Sequence, residues 1–163
     1  MSRPARVAAS DDINAVTDAV LIASRLLIAV SARSIAAVDE ALTIPQFRLL
    51  IVLCLRGPMK LTSLAEHLSV NPSTATRMVD RLVAAGLINR ETNPASRREL
   101  LVTLTDQGTT VVNEVTRRRR TEIAHIVSRM PPATREDLVH ALTAFAAAGN
   151  ELATVNQIDL PWV

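Results

Sequence analysis

The chain has no tyrosine, two phenylalanines and one tryptophan. Its core must therefore be built from Leu, Val, Ile and Ala, and any ligand pocket would be lined mainly by aliphatic side chains. Glycine is also scarce, with four in 163 residues, which points to helices more than to a sheet protein. The single cysteine, Cys54, excludes an internal disulfide framework and fits a reducing compartment. It lies in an apolar run, where a buried, inert thiol is favoured over a redox sensor. His67, His125 and His140 have no ligand spacing with one another or with Cys54, so no metal site is read. There is no Gly-rich phosphate loop, and no nucleophile–base–acid set can be assembled, so nothing supports an enzyme.

A strong excess of one charge is missing too. Eighteen basic residues face sixteen acidic ones, for a net charge of +2. The distribution is more informative. Lys60 to Leu104 holds six basic residues against four acidic, while Pro132 to the end holds one Arg and four acids. A mildly basic middle is weak evidence for nucleic acid by itself. The opening "MSRPARVAASDD" lacks the apolar stretch of a signal peptide. The longest apolar run, "AVLIASRLLIAV", is interrupted by Arg25 and is too short to span a bilayer. A soluble, cytoplasmic protein with no membrane partner is expected.

The length suits one domain, or one compact unit with an extension. Residues 1–10 look like a flexible tail. From Ile13, apolar residues recur at 13, 16, 20, 23, 27 and 30, and Leu21, Ile28 and Ile35 widen the stripe. Leu138, Leu142, Phe145, Gly149 and Leu152 repeat the habit near the other end. Two terminal helices with such seams are expected to pack together and against a second copy. An intramolecular bundle is the alternative.

Between them, "IPQFRLLIVLCL" and "LTSLAEHL" read as short helices, the second with a capping box from Ser63 to Glu66. A third helix opens at Asn71-Pro72 and stops at Gly86. "LINRET" and "ELLVTL" then flank "NPASRR" as two short strands, and Thr105 caps a long helix that runs to about Met130. The class is mainly α with a small β-hairpin wing. Residues 11–40 and 106–163 form a helical dimerisation region, and 41–105 a winged helix-turn-helix lobe.

In "NPSTATRMVDRLVAAG", Ala75, Met78, Val79, Leu82 and Val83 share one helix face. Ser73, Arg77, Asp80, Arg81 and Ala84 lie opposite, with Thr74 and Thr76 on the shoulders. Capping accounts for Asn71 and Thr74 but not for Thr76 beside Arg77 and Arg81. Free N–H groups at such an end bind phosphate, Arg reads guanine and Thr reads thymine. Taken alone the helix leaves two readings open, a DNA contact or a solvated face. The order helix, tight turn, polar-faced helix, hairpin with Arg97 and Arg98 at its tip is that of a winged helix-turn-helix. The second helix would enter the major groove, with Arg97 and Arg98 on phosphates or in the minor groove.

The stretch 61–108, through "LAEHL", "TRMVDRL", "AAGLINR", the "NP-x-SRR" segment and "VTLTDQG", resembles the DNA-binding lobe of the MarR family, the multiple-antibiotic-resistance regulators. The resemblance implies a homodimer with intertwined terminal helices on a pseudo-palindromic operator in double-stranded DNA. It also implies a repressor released by a small aromatic or phenolic effector. Salicylate-binding relatives use a Thr on the recognition helix and an Arg before the wing, similar to Thr76 and Arg90. Arg90 would either pair an anion or hold the wing to the helical region. One departure is that the family's wing usually carries Asp where this chain has Ser96, and often Asp at Asn93. An Asp there would brace the arginines. Arg117 to Arg120 point in four directions from one helix, so they form a solvated face laddered with Glu114 and Glu122, or else touch phosphates. The competing class is a winged-helix protein-interaction module without an operator.

Overall fold

The computed structural model describes residues 4–149, with side chains from Asp12 onward and those of Arg97 and Arg98 excepted. It consists of α1 (Pro4–Ala36), α2 (Ile44–Arg56), β1 (Met59–Lys60), α3 (Leu61–Leu68), α4 (Pro72–Ala84), β2 (Ile88–Asn93), β3 (Ser96–Leu104), α5 (Asp106–Ser128) and α6 (Pro132–Ala148). The three strands form an antiparallel sheet in the order β1-β3-β2. This is the expected mainly helical winged helix-turn-helix.

Several local expectations need correction. Most of the segment read as a tail is helical, because α1 begins at Pro4. Proline suits a first turn, and Ala5, Ala8 and Ala9 follow it. The capping box lies on α2 instead of α3. Thr43 Oγ1 accepts from the Gln46 N–H and Gln46 Oε1 accepts from the Thr43 N–H, while Lys60, the N-cap of α3, supplies no side-chain cap. Strand β1 is an addition to the two strands expected. It pairs Met59 with Val102 and Lys60 with Leu101, closing the open side of β3.

One apolar cluster holds the lobe together. Leu49, Leu50 and Leu53 of α2, Leu64 of α3, Val79 and Leu82 of α4, and Val102 of β3 are buried in it with Val112 and Val115 of α5. Gly108 sets how closely α5 approaches the sheet. A Cβ there would sit 2.1 Å from the Leu87 carbonyl oxygen and 2.9 Å from Leu104 Cδ1. Thr105 ties the same corner, donating to the Gly86 carbonyl and accepting from the Gly108 N–H.

The terminal helices behave differently. Among the described side chains of α1, only those at its far end are buried, at Val30, Ser34 and Ile35, where Arg33 pairs with Glu122 of α5. Ile13, Val16, Leu21, Ile22, Leu26, Leu27 and Ile28 are exposed. By length and composition, the 25 residues Asp12–Ala36 are apolar enough to cross a bilayer, and few of them are buried. The helix carries apolar side chains on both sides of residues 19–30, and this length and composition alone do not make it a membrane span. Among the described residues of α6 none is buried, and Val139, Leu142 and Phe145 are exposed. Its start is fixed by Arg135, whose guanidinium donates to the Met130 and Ser128 carbonyls at the end of α5.

Candidate nucleic-acid interface

Helix α4 follows α3 across a turn whose tightest point is Ser69, in the left-handed region at φ 55°. Asn71 caps α4, its Oδ1 accepting from the Thr74 N–H and from Ser73 Oγ, both at 2.8 Å. Pro72 follows, a residue favoured at the first helical position. Ala75, Val79 and Leu82 are buried, and Ser73, Arg77, Asp80, Arg81 and Ala84 are exposed. The division falls where the helical spacing placed it. Thr74 and Thr76 are half-buried on the shoulders.

The hydroxyls are partly occupied. Thr76 Oγ1 donates to the Pro72 carbonyl at 2.8 Å, and Thr74 Oγ1 lies 3.5 Å from an Arg77 amino group. Each keeps acceptor capacity toward solvent. Arg81 sits farther along the helix and lines a cleft of about 250 Å³ with Asp39, Thr43 and Gln46. It lies one helical turn beyond Arg77 on the same exposed face.

The hairpin differs from the expected loop. Its turn is only Pro94-Ala95, and Asn93 pairs with Ser96, so Arg97 and Arg98 belong to the start of β3 and not to the tip. Lys60 Nζ donates to Glu99 Oε1 at 2.6 Å, and Asn93 Nδ2 donates to Glu99 Oε2 at 3.1 Å. The Lys60 hydrogen bond holds the Glu99 carboxyl below the usual carboxylate range. Sequence reasoning misses the Lys60–Glu99 pair, because 39 residues separate its members and β1 is too short to leave a period-two pattern.

Arg90 of β2 pairs with Asp80 of α4. It is therefore engaged with α4, and Thr76 and Arg90 do not jointly line either of two clefts among the described residues. The larger, about 580 Å³, lies between α1 and α5 and is lined by Arg33, Arg117, Arg118, Glu122 and His125 among others. Its arginines are paired: Arg117 and Arg118 both donate to Glu114, and Arg33 to Glu122. Arg119 is different, half-buried with an unpartnered Nε, and its pKa is lowered by desolvation. Cys54 is half-buried, and burial pushes its thiol pKa up.

Comparison with known proteins places this geometry. The MarR family model matches residues 42–100, from the start of α2 into β3. The HTH-type transcriptional repressor MdtR of Bacillus subtilis is 33% identical over 102 residues, which is 63% of this chain and 64% of that one. The match thus spans less than two thirds of the repressor's length. The crystal structure of RV1404 from Mycobacterium tuberculosis superposes with a TM-score of 0.80 at 58% identity, covering 86% of this chain and 95% of that chain. Bordetella bronchiseptica BpsR superposes with a TM-score of 0.61 at 27% identity, covering 80% and 92%. With its winged lobe, flanking helices and these matches, the chain belongs to the MarR family.

Proposed function

We propose that this protein is a sequence-specific, double-stranded-DNA-binding transcriptional regulator of the cytoplasm, a repressor acting as a homodimer on a pseudo-palindromic operator. The observation that carries this reading is the outer face of α4. Its exposed N-terminal half offers a small hydroxyl, two half-buried threonines and the unburied Arg77, a surface shaped to enter a major groove. A protein-interaction module would be expected to expose large apolar or aromatic side chains there, and this face has none. The exposed apolar tracks of α1 and α6 support a second copy as the partner that covers them.

Release by a small aromatic or phenolic effector completes the reading. The solved structure of BpsR concerns regulation of its DNA binding by 6-hydroxynicotinic acid, an aromatic acid. Here a carboxylate ligand would compete with Asp80 for Arg90, with Thr76 as a second contact. Taking Arg90 would unhook β2 from the recognition helix and change the angle between α4 and the wing.

The test is fluorescence anisotropy on DNA from upstream of the protein's own gene, against a scrambled duplex of equal length. Arg77→Ala should cost about 1–3 kcal/mol on the preferred duplex and much less on the scrambled one, if Arg77 reads guanine. Equal losses on both would remove base reading from Arg77. No binding to either duplex by wild-type dimer would favour the interaction module.

A further inference from the structure

Beyond Thr92, the hairpin has little ladder of its own. Thr92 pairs with Leu100, but the next rung joins Asn93 to Ser96. Strand β3 therefore carries residues 97–99 with no counterpart on β2, a bulge whose backbone includes both wing arginines. Bulges of this kind re-aim side chains and weaken pairing. Neither Ser96 nor Asn93 supplies a carboxylate at this tip, so something else must hold it.

A continuous relay does so. Lys60 Nζ, on the base strand β1, donates to Glu99 Oε1. Glu99 Oε2, at the end of the bulge, accepts from Asn93 Nδ2. Asn93 Oδ1 accepts from the Ala95 N–H inside the turn at 3.0 Å. Three contacts thus run from the lobe to the wing tip, and the only charged pair in them is Lys60–Glu99.

We infer that Glu99 is a positioning residue for DNA binding, fixing the bulge that presents Arg97 and Arg98 by bridging Lys60 and Asn93. This rests on the DNA-binding reading above. The carboxylate acts through the arginines and touches no DNA itself. It stays ionised across the neutral range, because Lys60 favours its charged form. An exposed ion pair adds little to stability, so the effect belongs to wing geometry and not to folding.

The sign of one substitution separates this from a bystander role. An acid beside a phosphate backbone repels it, so removing a bystander Glu99 would tighten DNA binding. Removing a brace would loosen it. Glu99→Ala should weaken binding to a mixed-sequence duplex by about threefold to fivefold per wing, the range an exposed pair can supply. In an Arg97→Ala/Arg98→Ala background the same change should have no such effect. Hydrogen exchange of free protein should quicken at residues 93–100 in Glu99→Ala, and equally in Lys60→Met, where the wing sequence is intact. Unchanged or tighter binding by Glu99→Ala would overturn the inference, as would unchanged exchange in both variants. If wild type binds no duplex even at low salt, the DNA reading falls and the positioning role with it, while faster exchange would still identify Glu99 as the wing's structural brace.

Discussion

Glu114 of α5 accepts hydrogen bonds from Arg117 and Arg118, and these hold its pKa at about 2, well below the usual carboxylate range. A carboxyl depressed in the folded state stabilises fully above its unfolded pKa of about 4.3 and loses that contribution as pH falls through the folded value. The stabilising effect of Glu114 should therefore be present at pH 7, decline below about pH 4.3, and vanish near pH 2. Urea unfolding of wild type and Glu114→Gln at pH 7, 4 and 2 checks this. The two curves should differ at pH 7 and converge in acid, and a gap that widens toward pH 2 would refute it. Relations within one helix are legible in the amino-acid order alone, as the buried and exposed faces of α4 show. Pairs that cross between elements are not. Asp80 is visible there as an exposed residue and Arg90 as a ligand candidate, but only the packing of β2 beside α4 joins them. Glu122 likewise looks like a rung of the α5 ladder, yet it pairs with Arg33 of α1.

At the scale of elements, helices announce themselves through long apolar spacing and caps, and the two longer strands through their flanking turn, but β1 and the start of β3 do not. β1 is two residues long, and the bulge in β3 puts two arginines and a glutamate where a strand would alternate. The six residues "NPASRR" consequently look like a loop, although only two of them turn. The junction of sheet and α5 carries a sharper test. Gly108 is a helical glycine in "VTLTDQG" and has no positive φ to justify it. Its reason is the backbone of Leu87, which leaves no room for a methyl group. Gly108→Ala should destabilise the lobe by about 1–3 kcal/mol, the usual cost of overpacking, despite alanine's better helix propensity. Chemical denaturation measures it, and a neutral or stabilised variant would show that α5 can shift away from the sheet at no cost.

For the whole molecule, the terminal seams are legible as patterns, but no pattern states what covers them. Ile22 is 65% exposed and Phe145 57% exposed within one chain. If a second copy buries them, the wild-type mass in solution is that of two chains and the unfolding midpoint rises with protein concentration. Ile22→Glu/Phe145→Glu should give a one-chain mass and a lower midpoint that no longer depends on concentration. Light scattering and differential scanning calorimetry together decide it, and a wild-type monomer would dismiss the dimer.

The apolar length of α1 has a consequence for biosynthesis. Translation completes this helix before α5, its packing partner, exists. During that interval the nascent chain displays 25 residues that satisfy the length and hydropathy of a membrane span. Until α5 is made, the apolar residues at the far end of this helix lack the neighbours that bury them in the folded chain.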